Sequence, residues 1–117
     1  MHFELAMEEE AEDIAVQYFC YMFATLLESG VPILQALQTA GEVLPMGKLG
    51  VVVKGVADIR AGESLCPTLA ESGFSAAVVQ LVAVGEETGQ LERMLIKAGD
   101  VLEAQIEARL QRALGME

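Results

Sequence analysis

Apolar residues recur at intervals of three and four along most of the 117-residue chain, which is the spacing of amphipathic helices. The first such stretch is wide, because two rows of apolar positions run side by side from residue 14 to residue 27. We expect a helix that is buried over a broad face. The two rows are Ile14, Tyr18, Met22 and Leu26, and Ala15, Phe19, Phe23 and Leu27.

Glycine and proline mark the end of this helix and the start of the next. Gly30 can adopt the left-handed conformation that closes a helix, and Pro32 suits a first helical turn. A second helix is therefore expected over about 32–43. Its inward positions would be Ile33, Leu34, Leu37 and Ala40.

Residues 48–62 are ambiguous, since three consecutive valines also favour a strand. Helical spacing of the apolar residues nevertheless predicts a third helix, ended by Gly62. The positions that follow this spacing are Leu49, Val52, Val53, Val56 and Ile59.

A short fourth helix is expected over about 65–72. Ser64 can cap it, and Pro67 is tolerable because it falls in the first turn. Gly73 would end it.

The pattern continues with a fifth helix over 76–88, capped by Ser75, and a sixth from Leu91 to Ala113. Short turns between helices favour antiparallel neighbours. We therefore predict an all-α fold, a six-helix antiparallel up-and-down bundle over residues 13–114. The inward positions of the last helix would be Leu91, Met94, Leu95, Ala98, Leu102, Ile106 and Leu110.

Charge is acidic and uneven, with 7 basic and 18 acidic side chains and a net charge of −11. We expect residues 1–12 to be a solvated, partly disordered acidic leader. An acidic surface repels phosphate, which argues against a nucleic-acid partner. No apolar run is long enough to span a membrane, so we expect a soluble domain whose membrane contact, if any, uses segments absent from this chain.

Reactive side chains are scarce. The only histidine, His2, lies in the leader, and Cys20 and Cys66 form no C-x-x-C pair. Neither a catalytic triad nor a zinc cluster can be assembled from these residues. We predict that the protein is not an enzyme and has no cofactor.

The stretch "VGEETGQLERML" (84–95) places acids between two glycines. Glu86 would lie in the last turn of the fifth helix, where a carboxylate is unfavourable unless it has a partner. A basic side chain such as Arg93, a cation or another protein could serve. A structural turn is our main interpretation, and the alternative is a Ca²⁺ site with Glu86, Glu87 or Glu92 as ligands.

Three ordered stretches, "ATLLESGVPILQAL", "AGESLCPTLAES" and "VGEETGQLERML", resemble the cytoplasmic domain of type II secretion and type IV pilus inner-membrane platform proteins. The resemblance covers about residues 19–105. Positions on the family pattern are Gly30, Pro32, Gly62, Ser64, Leu65, Gly85, Glu86, Gly89 and Leu91.

Departures from the family pattern occur at three places. Tyr21 and Met22 stand where the family usually has Arg and Gln, Thr68 where it has Ala, and Ser75 where it has Pro. The missing arginine puts in doubt any contact that the family makes through it, including one to Glu86.

The resemblance implies a non-enzymatic scaffold at the cytoplasmic face of the bacterial inner membrane. Its partners would be an assembly ATPase and other platform components, and it would help couple the ATPase to pilin or pseudopilin assembly. A free-standing helical adaptor or regulatory module is the alternative. A homodimer through an exposed apolar strip is also expected. The candidate partner surface is the polar face of the last helix: Glu92, Arg93, Lys97, Asp100, Glu103 and Glu107.

Overall fold

The computed structural model describes the backbone of residues 2–45 and 64–115, and the side chains of residues 11–45 and 64–115. These residues form five α-helices and no strand, so the all-α prediction is confirmed. A six-helix antiparallel bundle is not established, because the helix predicted over 48–62, with Gly62, lies outside the described residues. The helices are α1 (His2–Glu28), α2 (Ile33–Gly41), α3 (Cys66–Glu71), α4 (Ala76–Thr88) and α5 (Leu91–Ala113).

Helix boundaries in the C-terminal half follow the sequence signals. Helices α4 and α5 begin and end at the predicted residues. The hydroxyl of Ser75 caps α4 by accepting a hydrogen bond from the Val78 N–H at 3.4 Å. Gly73 and Gly89 end α3 and α4 with φ of 83° and 72°, in the left-handed region.

The N-terminal helices differ more from prediction. Gly30 closes α1 with a φ of 88°, as expected. Pro32 is the N-cap of α2 rather than part of its first turn, so the helix is shorter than 32–43. Helix α1 starts at His2, so the leader that we expected to be partly disordered is helical from residue 2. The domain boundary at residue 13 stays a prediction.

The core lies where α1 packs against α2 and α5 and where α4 packs against α5. Phe19 and Phe23 of α1 are fully buried, and the ring of Phe19 meets that of Phe74 edge-on at 5.4 Å between centroids. Burying a large apolar side chain stabilises the fold by about 1.5–3 kcal/mol. Small side chains complete the α1 face: Val16, Cys20 and Ala24 are buried too.

One predicted apolar row of α1 faces outward instead of inward. Ile14, Tyr18 and Met22 are 39%, 61% and 38% exposed. The most deeply buried side of α1 carries Phe19 and Cys20, and the row 14–18–22 lies away from that side, next to Tyr21 at the edge of the contact with α5. The two rows could not both be buried by neighbours on one side.

Two further inward predictions are wrong. Ile33, in the first turn of α2, and Leu110, in the last turn of α5, are 37% and 43% exposed. Both lie at helix ends, where fewer neighbouring side chains remain to cover them.

Candidate functional site

The acidic turn of "VGEETG" lies against the start of α3. One carboxylate oxygen of Glu86 accepts a hydrogen bond from the Ser64 hydroxyl at 2.6 Å, and the other accepts one from the Leu65 N–H at 3.0 Å. The Cys66 thiol also donates to Glu86, with 3.3 Å between sulfur and oxygen. Glu86, at the end of α4, therefore supplies acceptors for Ser64 and Leu65, which precede α3, and for the thiol of Cys66, the first residue of that helix.

Ser64 has two roles in this cluster. Its hydroxyl donates to Glu86 and accepts a hydrogen bond from the Cys66 N–H at 3.0 Å. Leu65, and not the predicted Ser64, is the N-cap of α3. Ser64 instead binds the N–H of the first residue of the helix and is itself held by a carboxylate from another helix. We refer to Ser64, Leu65, Cys66 and Glu86 as the cap cluster.

The Cys66 thiol stays protonated in the cap cluster. Partial burial raises its pKa above the ordinary value of 9.0, and the nearby Glu86 carboxylate raises it further, while the hydrogen bond with Ser64 lowers it. A protonated thiol is the form that can donate to Glu86. This cysteine is therefore a poor nucleophile at neutral pH.

The two glycines of the same stretch shape the hairpin between α4 and α5. A Cβ on Gly85 would lie 2.8 Å from the Cα of Leu91, so only glycine allows this approach of the two helices. Gly89 makes the left-handed turn, and the N–H of Gln90 returns to the carbonyl of Gly85 at 3.0 Å. Gly85 therefore lets α5 come close to α4.

These contacts correct the partner expected for Glu86. We predicted Arg93, a cation or another protein, and the structure shows hydrogen-bond donors of the segment that starts α3. Tyr21, which stands at the position of the family's arginine, donates a hydrogen bond to Asp100 of α5.

A cation site at this turn gains no support from the geometry. Among the residues that the structure describes, no three carboxylate, thiol or imidazole groups converge as metal ligands. Glu86, one of the three candidates with Glu87 and Glu92, directs both oxygens at donors of residues 64–66.

The contact that sequence reasoning missed lies between α1 and α5. The Tyr21 hydroxyl donates to Oδ1 of Asp100 at 2.6 Å and lies 3.4 Å from Oε2 of Glu103. Partial burial, and then this hydrogen bond, raise the pKa of Tyr21 to about 12. A second link, an ion pair between Asp13 and Arg109, fixes the two helices as antiparallel.

Most of the predicted partner surface is exposed on α5, as required of a binding surface. The exception is Glu92, which is half-buried in the first turn. Asp100 and Glu103 are also tied to α1 through Tyr21, so they form part of the α1–α5 contact. The exposed members are Arg93, Lys97, Asp100, Glu103 and Glu107.

Comparison with known proteins gives consistent matches. Residues 19–116 match the family described as type II secretion system (T2SS), protein F. The type II secretion system protein F of Xanthomonas campestris pv. campestris is 37% identical over 92 residues, which cover 77% of this chain and 23% of that protein. The type IV pilus assembly protein PilC of Myxococcus xanthus is 34% identical over 108 residues, covering 88% of this chain and 25% of that protein.

A thermophilic relative matches similarly. The type IV pilus assembly protein PilC of Thermus thermophilus is 38% identical over 104 residues, covering 80% of this chain and 24% of that protein. The chain thus spans about a quarter of the length of the curated relatives that it matches.

Proposed function

Because the chain belongs to the type II secretion system protein F family, we propose that it is a cytoplasmic scaffold domain of an inner-membrane platform protein. In this role it couples an assembly ATPase to pilin or pseudopilin assembly in secretion or pilus biogenesis. The observation that carries the proposal is the family match over residues 19–116, nearly the whole chain.

The structural roles of the motif residues support a scaffold and not a catalyst. Gly85 allows a close helix crossing, Glu86 holds the residues that precede α3, and Gly89 closes α4. Each of these positions maintains the shape of the domain. A scaffold acts through such a fixed shape, whereas an enzyme needs a reactive group presented to a substrate.

Attachment to the membrane is assigned to other parts of the protein. Within the part of the chain that the structure describes, no helix combines the length and the apolarity needed to cross a bilayer. We place the domain at the cytoplasmic face of the bacterial inner membrane, with spans contributed by segments outside this chain. Weak homodimerisation belongs to the same proposal and is tested by light scattering over the micromolar range.

The proposal is tested by binding to the assembly ATPase encoded in the same genome. The tagged 117-residue chain is mixed with that ATPase, and retention on the tag and the rate of ATP hydrolysis are measured. We expect retention and a changed rate, with an unrelated helical domain of similar net charge as the control. Failure of both would contradict the scaffold role, and capture of a soluble regulatory protein instead would favour the adaptor.

A further inference from the structure

The exposed side of α1 carries an apolar row in the middle of an acidic helix. Ile14, Tyr18 and Met22 follow one another at intervals of four, which keeps them on one side of the helix. Tyr18 is 61% exposed, an unusual position for a large aromatic side chain, and none of the helices in the described part of the chain covers it. The row is about 12 Å long, or roughly two helical turns.

A matching row lies on α5. Ile96, Glu103 and Leu110 are seven residues apart, so they share one side of the helix. Ile96 and Leu110 are 38% and 43% exposed. This row is therefore apolar at both ends and acidic at its centre.

Tyr21 joins the two rows into one surface. It follows Ile14 by seven residues and so lies on the same side of α1, and its hydroxyl reaches Asp100 and Glu103 on α5. We call the combined surface the outer face. It comprises Ile14, Tyr18 and Met22 of α1 and Ile96, Glu103 and Leu110 of α5.

The charged residues of α1 are all acidic, and three exposed acids of α5, Asp100, Glu103 and Glu107, lie on or beside the outer face. Helix α1 contains seven acids, namely Glu4, Glu8, Glu9, Glu10, Glu12, Asp13 and Glu28, and no Lys or Arg. On α5, Arg109 pairs with Asp13. The other bases of α5 lie between about 60° and 200° around the helix from the row of Ile96. They are Arg93, Lys97 and Arg112.

We propose that the outer face binds a basic amphipathic helix of a partner protein, an inference that rests on the scaffold function proposed above. The apolar side of that helix packs on Ile14, Tyr18 and Met22, and its Lys and Arg side chains meet Asp100, Glu103 and Glu107. Tyr18 is the anchor, since exposed aromatic side chains contribute most to such contacts. A second copy of this chain fits the outer face less well, because it would bring two helices with seven acids each together, so the weak homodimer proposed above would use another surface.

The test uses a synthetic, fluorescently labelled helix of about 18 residues, or five turns, with Leu on one side and Lys on the other. Binding to the 117-residue chain is followed by fluorescence anisotropy at about 0.15 M salt. A peptide of the same composition in shuffled order controls for non-specific charge attraction. The matched variants are Tyr18→Ser on the outer face and Val84→Ser on α4, where Val84 is 43% exposed. Neither substitution changes the net charge.

We expect the amphipathic peptide to bind the wild type. Its affinity should be about tenfold lower for the Tyr18→Ser variant and unchanged for Val84→Ser. Glu103→Gln should lower the affinity for the peptide less than Tyr18→Ser does, and should make binding less dependent on salt. The proposal is overturned by absent binding, by equal binding of the shuffled peptide, or by equal affinities of the two serine variants. It is also overturned if the chain is a dimer that Tyr18→Ser dissociates.

Failure of this proposal is distinguishable from failure of the scaffold function. If the ATPase is retained by the wild type but the amphipathic peptide does not bind, the proposal for the outer face is wrong and the scaffold role stands. If the peptide binds through the outer face but the ATPase is not retained, the surface is a binding site and the assigned function is wrong.

Discussion

The ring of Tyr21 lies directly on Gly99, at the crossing of α1 and α5. A Cβ added to Gly99 would be 2.7 Å from Cζ and 2.8 Å from Cδ1 of Tyr21. Glycine in the middle of a helix is costly by itself, so its presence in α5 is explained by the space that the ring occupies. The hydrogen bond from Tyr21 to Asp100 then closes the contact on its outer side.

The Gly99→Ala substitution should change sign with the residue at position 21. In the wild type we expect it to destabilise the domain by about 1–2 kcal/mol, because the Tyr21 ring must move. In a Tyr21→Ala background it should stabilise by up to about 1 kcal/mol, since alanine is the better helix former. Urea unfolding of the four proteins measures both values. Equal effects in the two backgrounds would show that the ring does not occupy this space.

The raised pKa of Tyr21 makes part of the stability depend on alkaline pH. Its pKa of about 12 in the folded chain lies above the ordinary 10.0, so folding favours the neutral phenol. The contribution is complete below pH 10 and is lost as the pH rises from 10 to 12. The difference in unfolding free energy between wild type and Tyr21→Phe should therefore shrink over this range.

Absorbance titration measures the pKa of Tyr21 directly. The chain has two tyrosines, so a Tyr18→Phe variant leaves Tyr21 as the single phenol. We expect its phenolate absorbance to rise with a midpoint near pH 12 in the folded protein. A midpoint at the ordinary value would contradict the contact with Asp100.

Gly85 and Gly89 should respond differently to alanine. Gly85→Ala places a Cβ against the backbone of Leu91, which cannot move without shifting α5, so we expect a loss of about 2 kcal/mol. Gly89→Ala meets no neighbour and costs only the left-handed strain, about 1 kcal/mol. Thermal unfolding of the two variants makes the comparison, and a larger loss at Gly89 would contradict the close helix crossing.

The two thiols should differ in their reaction with alkylating agents. Burial raises the pKa of Cys20 to about 12, and its side chain is inaccessible. Cys66 also has a raised pKa but lines a groove of about 520 Å³ between α3 and α4. Mass spectrometry after iodoacetamide treatment should show slow labelling of Cys66, and of Cys20 only after unfolding. Prompt labelling of Cys20 in the native protein would place it outside the core.

Local signals in the sequence predicted much of this fold. Ser75, Gly73 and Gly89 each have one backbone role that neighbouring residues suffice to reveal. The pattern failed where burial depends on which helices are neighbours. The row of α1 with Ile14 and the row with Phe19 are equally apolar. Only the positions of α2 and α5 decide which row is buried.

The candidate site was predicted only in part, because its contacts also depend on which helices are neighbours. Glu86 was recognised as an acid that needs a partner, but its donors lie 20 to 22 positions earlier in the chain. The sequence offered one signal of the Tyr21 contact, namely a glycine, Gly99, on the buried side of α5. Without knowledge of the helix that crosses there, that glycine could not be assigned a contact.

Glu86 joins two sequence motifs by accepting hydrogen bonds from Ser64 and Leu65, directly before α3. A double-mutant cycle of Ser64→Ala and Glu86→Gln, measured by urea unfolding in EDTA, tests it most directly, with Glu87→Gln as the control. We expect each single substitution to cost about 1 kcal/mol and the pair to show a coupling of about 1 kcal/mol, because the hydrogen bond involves a charged group. Additive effects, or a loss for Glu87→Gln as large as for Glu86→Gln, would contradict the cap cluster.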